Sequence, residues 1–346
     1  MNIYMSKFLN QGAYGCVFKP GVKCDGRPLA AKHLSKIQKK KPRTDNEPII
    51  GKLIRDNVSN YEQYYAPALE VCKANISMIK PDEVKKCKVF DNKEKIEEEF
   101  VSIKMMYVGD ETLGDNLDNH YKKSPETFLA HLKDTERYLN HAINELVKIQ
   151  VVHNDLKLNN VMYSKEQKVP IIIDFGMAYE IKSLYRGDQM NTVFFTHYEK
   201  YPPWCLEKLY IGSIVNKGKG QEGTNWQNTN VNVKELKNIT NTFFKENELC
   251  IIGKDKEYPM AKYQTKWNQY VEAFQGKRGG TVVKELLKHW DTWDMYSVHA
   301  MIYMTLSVIQ NDQVAKGKME LDQQDSDKYM VSLSKQLYCT PDQRKI

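Results

Sequence analysis

The chain has 346 residues, of which 41% are hydrophobic and 27% are charged, and its formal net charge is +7. This composition supports a sizeable hydrophobic core and excludes a disordered chain, and no internal repeat is visible. The densest basic run, 36–43, is explained more simply as a solvated loop than as a nucleic-acid surface. We therefore expect a globular protein that does not bind nucleic acid.

The seven cysteines are irregularly spaced and form no Cys-x-x-Cys pair. Their odd number and spacing predict reduced thiols in a reducing compartment, rather than a disulfide framework or a zinc site. The first eight residues lack the apolar core of a signal peptide, and no stretch approaches the roughly 20 apolar residues of a membrane span. We expect a cytoplasmic protein that is not secreted.

In the N-terminal part, residues 3–34 are predicted to form three strands, joined by a glycine turn and an Asp-Gly turn, with the third strand leading into Lys32. Apolar residues at helical spacing predict a helix over 46–58. Residues 100–108 have the composition of a buried strand.

In the C-terminal part, a helix start is predicted at Ser124, with proline at the first helical position. An amphipathic helix is predicted over 134–150, and two short apolar runs follow it. Further helices are predicted near 233–243, 261–275, 281–289 and 293–309.

The strongest motif joins the segment 153–160, HNDLKLNN, to the triplet 174–176, DFG. This pair resembles the catalytic loop and the metal-binding element of protein kinases. The resemblance implies that Asp155 is the catalytic base and that Lys157 neutralises charge on the transferred phosphoryl group. It also implies that Asn160 and Asp174 bind Mg²⁺ or Mn²⁺, and one short hairpin between them would bring both to the same edge.

The segment 10–17, NQGAYGCV, resembles the glycine-rich loop that covers ATP phosphates, with Asn10 in place of the first glycine. The triplet 30–32, AAK, resembles the kinase element that ends in the phosphate-binding lysine. On this resemblance Lys32 would bind the α- and β-phosphates and would be held by Glu47 on the following helix. The residues assigned to ATP in this region are Asn10, Gln11, Gly12, Ala13, Tyr14, Gly15, Val17, Ala30, Lys32 and Glu47.

Residues 104–109, KMMYVG, resemble the strand and hinge that cover adenine. Met105 would be the gatekeeper, and the backbone of Met106, Tyr107 and Val108 would bind the base. Further along the chain, Asp294 would brace the catalytic loop.

Three departures from the kinase pattern are visible. Asn154 replaces the usual arginine before the catalytic aspartate, which predicts activity that does not depend on activation-loop phosphorylation. Trp204 stands where a glutamate is usual, so Glu207 is a candidate partner for Arg344. The long segment 208–290 precedes the central helix, and it resembles an insertion in the divergent kinases of large DNA viruses, which would place the protein in host cytoplasm or the virion.

The resemblance implies an α+β, bilobal protein-kinase-like fold. The small lobe, 1–106, would be an antiparallel sheet with one helix, and the larger, mainly helical lobe, 107–346, would contain the insertion. ATP with Mg²⁺ would lie in the cleft, and the expected acceptors are serine and threonine hydroxyls of protein substrates.

Two other functions remain open. A small-molecule kinase of the choline or aminoglycoside type also uses an HND loop, whereas Lys157 and the long segment 177–204 favour a protein substrate. A partner-binding pseudokinase would have lost catalytic residues, but Lys32, Asp155, Asn160 and Asp174 are all in the sequence.

Overall fold

The computed structural model describes residues 6–344 except 13–14, 23–31, 41–44, 75, 77–78, 91–99, 187–188, 217–224 and 317–320. Ala13, Tyr14 and Ala30 therefore lie outside the described residues. The chain forms two compact units, Met1–Glu111 with Asn160–Ala178, and Thr112–Asn159 with Tyr179–Ile346. The lobe boundary at residue 106 stays a prediction.

The first unit contains a five-stranded antiparallel sheet with the strand order β1-β2-β3-β5-β4. Its strands are β1 (Lys7–Gln11), β2 (Gly15–Lys19), β3 (His33–Lys39), β4 (Glu70–Lys73) and β5 (Phe100–Met106). Its helices are α1 (Asn46–Asn57), as the apolar spacing predicts, and the short α2 (Pro81–Val84). The sheet and the long helix α1 agree with the predicted small lobe of a kinase fold.

The third strand begins one residue after Lys32 instead of leading into it. Lys36 lies inside this strand, is only 8% exposed, and pairs with Ile103 of β5. The prediction that the basic run 36–43 is a solvated loop is therefore wrong for its first four residues. Pairing with β5 keeps this polar stretch extended, although its composition suggests a loop.

Helix α1 packs very closely on the chain that precedes β4. A Cβ atom built on Gly51 would lie 2.3 Å from the carbonyl oxygen of Ala68, a distance that real Cβ atoms do not reach. Glycine is therefore needed here for close approach rather than for an unusual backbone angle. This contact fixes the position of the helix that carries Glu47.

A disulfide in the first unit corrects the prediction of reduced thiols. Cys16 of β2 is bonded to Cys87, with 6.0 Å between their Cα atoms, and Cys72 is also disulfide-bonded. Cys205, Cys250 and Cys339 are free and buried, as predicted. The argument from cysteines for a reducing compartment therefore loses its basis.

Two further strands, β7 (Val161–Ser164) and β8 (Val169–Ile172), form a hairpin in the first unit. The second unit pairs β6 (Val151–Val152) with β9 (Tyr179–Glu180) and is otherwise mainly helical. Its helices are α3 (Leu113–Lys123), α4 (Pro125–Lys148), α5 (Gln189–Val193), α6 (Leu206–Asn216), α7 (Val233–Glu246), α8 (Glu248–Asp255), α9 (Met260–Glu272), α10 (Gly279–Leu286), α11 (Trp293–Lys316) and α12 (Gln323–Tyr338).

The predicted helices of the C-terminal part are confirmed as α4, α7, α9, α10 and α11, with shifted ends. Helix α4 starts at Pro125 rather than near residue 134, with Ser124 as its N-cap residue. The segment 208–290 is largely helical and contributes buried side chains such as Trp267. Among the residues that the structure describes, no helix is both long enough and apolar enough to cross a membrane.

Candidate active site

A buried lysine connects the sheet, the helix and the DFG element of the first unit. Lys36 Nζ lies 3.0 Å from Glu47 Oε2 and 2.7 Å from Asp174 Oδ1. Burial opposes the positive charge, but the two carboxylates outweigh it and raise the pKa of Lys36. The ammonium group is therefore held in one place and stays charged.

Lys32 does not have the position that the sequence analysis gave it. Its side chain is exposed, and its carbonyl oxygen accepts a hydrogen bond from the amide of Tyr107. The prediction that Lys32 pairs with Glu47 is wrong, because the pairing of β3 with β5 places Lys36 opposite the helix instead. Glu47, which is only 3% exposed, forms its ion pair with Lys36.

The hairpin brings Asn160 and Asp174 to the same end of β7 and β8, as their spacing predicts. Val161 pairs with Ile172, and the amide of Ile173 donates to the carbonyl oxygen of Asn160 at 2.9 Å. Asp174 has a φ of 60°, a left-handed conformation that aspartate tolerates better than most residues. This conformation directs its carboxylate toward Lys36 and the amide of Gly176.

The side chains of Asn160 and Asp174 are chemically suited to bind Mg²⁺, because carboxylate and amide oxygens are hard donors. In the described parts of the chain, no group of three or more His, Cys, Asp or Glu side chains has metal-binding geometry. Proteins commonly bind Mg²⁺ through one or two carboxylates together with phosphate oxygens and water. The side chain of Asp174 is about half exposed, and it would supply the carboxylate.

The glycine turn joins β1 and β2, and the amide of Gly12 donates to the carbonyl oxygen of Gly15 at 2.9 Å. A Cβ atom on Gly15 would meet the carbonyl oxygen of Ile37 at 2.5 Å, so this glycine also permits close approach of β2 to β3. Asn10 and Gln11 lie on β1, and Val17 lies on β2, opposite Lys36. Val17 is therefore on the strand next to the buried lysine, and Asn10 and Gln11 are one strand further away.

The predicted hinge begins at the end of β5. Met105 is 9% exposed and pairs with Leu34, and Met106 is the last residue of the strand. The ammonium nitrogen of Lys19 lies over the ring of Tyr107, 3.1 Å from the ring centroid. Burial and a hydrogen bond with Asp110 raise the pKa of Tyr107 to about 12, so its hydroxyl stays protonated. Val108 follows in the segment between β5 and α3.

In the second unit, both oxygens of Asp155 have donors. Lys157 Nζ lies 2.9 Å from Oδ2, and the hydroxyl of Tyr201 donates to Oδ1 at 2.5 Å. Burial and the negative charge of Asp155 raise the pKa of Tyr201, so the phenol keeps its proton. The sequence analysis identified Asp155 and Lys157 but missed Tyr201, which only the folded chain brings to the loop.

Asp294 at the start of α11 holds the backbone before Asp155, as the sequence analysis expected. Its carboxylate accepts the amide protons of His153, at 2.5 Å, and of Asn154, at 3.0 Å. It is 3% exposed, so these charge-assisted hydrogen bonds form away from water.

Glu207 and Arg344 form a buried ion pair, which confirms the partner suggested for Arg344. Arg344 Nη1 lies 2.7 Å from Glu207 Oε1, and Nη2 lies 3.3 Å from Oε2. Burial opposes the charge, but Glu207 outweighs it and raises the pKa of Arg344. The pair joins α6 to the C-terminal end of the described chain.

Arg344→Met is expected to lower the free energy of unfolding by about 3–5 kcal/mol, because it leaves the Glu207 carboxylate buried without its partner. Urea denaturation would measure this loss. Arg137→Met is the matched control, since its ion pair with Asp134 is exposed and its loss should change little. Equal stabilities of the two variants would contradict the assignment.

Known proteins are similar to this chain in sequence and in structure. The sequence matches the family model described as "Protein kinase domain" over residues 4–208, more than half of the chain. Among solved structures, the kinase PK-1 of the Cydia pomonella granulovirus is similar at 20% identity and a TM-score of 0.35. That alignment covers 61% of this chain and 67% of the viral chain. No curated protein matches the sequence.

Proposed function

Because the chain belongs to the protein kinase family, we propose that it transfers the γ-phosphate of ATP, with Mg²⁺, to serine and threonine hydroxyls of protein substrates. The observation that carries this proposal is the buried Lys36, whose ammonium group bonds at once to Glu47 and Asp174. A cation fixed in this way is suited to bind phosphate oxygens. It also links the helix α1 to the carboxylate proposed to hold the metal.

The residues of the first unit would bind and orient the nucleotide. Lys36, rather than Lys32, would contact the α- and β-phosphates, while the Gly12–Gly15 turn and the β5 hinge would hold the rest of ATP. Asn160 and Asp174 would hold Mg²⁺, which when bound neutralises charge on the phosphate oxygens.

The residues of the second unit would act on the acceptor. Asp155 would orient the hydroxyl and take its proton as the acceptor oxygen bonds to the γ-phosphorus. The bond from that phosphorus to the bridging oxygen of ADP breaks, and ADP leaves. Lys157, which already pairs with Asp155, would stabilise the charge on the transferred group.

Two sequence features support protein serine and threonine as acceptors. Lys157 lies two residues after the proposed base, and the segment 177–204 is long enough to form a docking region for a polypeptide. Tyr201 and Trp204 in that segment pack edge to face, with ring centroids 5.3 Å apart. A small-molecule kinase and a pseudokinase are the alternatives that the experiment must separate.

The test incubates the full chain with γ-labelled ATP, Mg²⁺, a basic protein, casein and a panel of small alcohols, with Asp155→Asn alongside. We expect label on protein serine or threonine with the wild-type chain and none with the variant. Label on tyrosine alone would contradict the proposed acceptor class.

Two other outcomes would overturn the proposal. Label found only on a small alcohol would identify a small-molecule kinase. ATP binding without any transfer, at all substrate concentrations tried, would identify a pseudokinase.

A further inference from the structure

Lys208 is a buried lysine that the phosphoryl-transfer mechanism does not use. It lies on α6, a helix whose side chains are buried along almost its whole length, and it is 3% exposed. Burying an ammonium group costs stability unless a carboxylate pairs with it. Lys208 therefore needs an explanation.

The contacts of Lys208 are not those of a structural ion pair. Its Nζ lies 3.4 Å from the carbonyl oxygen of Asn154 and 5.3 Å from the centre of the Trp204 ring. Within the described part of the chain, no carboxylate oxygen comes within 4.0 Å of this nitrogen. Burial lowers the pKa of Lys208, and the more distant negative groups do not restore it. The surroundings of this amine thus disfavour its charged form.

The carbonyl that Lys208 contacts belongs to the peptide group that leads directly into Asp155. Asn154 has a φ of 70°, a left-handed conformation, and its carbonyl oxygen also accepts the ring N–H of Trp204 at 3.0 Å. The amide at the other side of the same peptide group, that of Asp155, donates to Nδ1 of His153 at 3.3 Å. The orientation of this one peptide group therefore sets where the Asp155 carboxylate lies.

We propose that Lys208 is a positioning residue for phosphoryl transfer, which holds the Asn154–Asp155 peptide group in its catalytic orientation together with Trp204. This inference rests on the proposed function, because it assigns Lys208 to the orientation of the base Asp155. The amine donor is retained for orientation although an apolar side chain would be more stable at this place. Activity and stability should therefore change in opposite directions when the amine is removed.

The experiment uses Lys208→Met, which keeps the length of the side chain and removes the amine donor. Lys234→Met on α7 is the matched control, since Lys234 is exposed. The measurements are kcat, the KM for ATP and the midpoint of thermal unfolding, with the protein acceptor that the wild-type chain labels best. For Lys208→Met we expect kcat to fall by about 10- to 100-fold, an unchanged KM for ATP, and an unfolding midpoint that is equal or higher.

Lys234→Met should match the wild-type chain in all three measurements. A wild-type kcat in Lys208→Met would overturn the inference and leave the proposed function standing. A lowered unfolding midpoint in Lys208→Met would also overturn it, because Lys208 would then have an ordinary structural role. A wild-type chain that binds ATP but labels no acceptor would overturn the proposed function, and the inference with it.

Discussion

Lys36→Met is expected to lower the rate of phosphoryl transfer by about 100-fold or more, whereas Lys32→Met should leave it close to that of the wild-type chain. Lys36 is buried and bonded to both Glu47 and Asp174, but Lys32 is exposed and lies just before β3. Removal of the Lys36 ammonium group deletes the cation proposed to bind the phosphates. It also leaves two neighbouring carboxylates without the charge between them.

The two variants form a matched pair, since each replaces one lysine of the same chain segment by a side chain of similar length. Initial rates at saturating ATP would be compared, and thermal unfolding would show that both variants are folded. A large loss in Lys32→Met, with normal turnover in Lys36→Met, would return the phosphate-binding role to Lys32. Equal and small losses in both would remove the role from this strand.

The difference between the two lysines shows what a local motif can predict. Asp155, Asn160 and Asp174 could be proposed from the sequence because they lie close together in it, and one hairpin explains why Asn160 and Asp174 lie at the same end of β7 and β8. The lysine is different, since its role depends on which residue of β3 faces α1. That register is set by the pairing of β3 with β5, whose strands are more than 60 residues apart.

Helix α1 and five helices of the C-terminal part could be predicted for a similar reason. Apolar residues at intervals of three and four mark the buried face of α1 and α4, whatever the rest of the chain does. Helix α6 has no such periodicity, because it is buried on all sides, and it was missed. It carries Glu207, which pairs with Arg344 near the C-terminal end of the described chain, and Lys208, which contacts the carbonyl oxygen of Asn154. A helix that the sequence did not predict therefore carries two buried side chains with specific contacts.

Contacts between distant residues were the least predictable. Cys16 and Cys87 are 71 residues apart, and nothing in their spacing distinguishes them from the free cysteines. Tyr201 reaches Asp155 across 46 residues, and a tyrosine in a polar segment gives no signal of such a contact. Lys36 gave no clear signal either, because Leu34 and Ile37, the apolar residues of its strand, are three residues apart and do not alternate with the polar ones.

Asp155→Asn is expected to lower turnover by about 10²- to 10⁴-fold while leaving the affinity for Mg·ATP unchanged. The amide keeps the size of the carboxylate but cannot take the proton of the acceptor hydroxyl. The side chain of Asp155 contacts Lys157 and Tyr201, and the residues proposed to bind the nucleotide are others, so nucleotide affinity should not depend on it.

Asp174→Ala is the contrasting variant, because it removes the carboxylate proposed to hold Mg²⁺ and the second partner of Lys36. It should weaken Mg·ATP binding, measured by calorimetry, as well as turnover. If Asp174→Ala binds Mg·ATP normally, the metal assignment is wrong. If Asp155→Asn loses affinity and turnover in equal proportion, Asp155 acts in nucleotide binding, and the base must be sought elsewhere. The two variants together therefore separate binding of the donor from activation of the acceptor, which the family assignment alone cannot do.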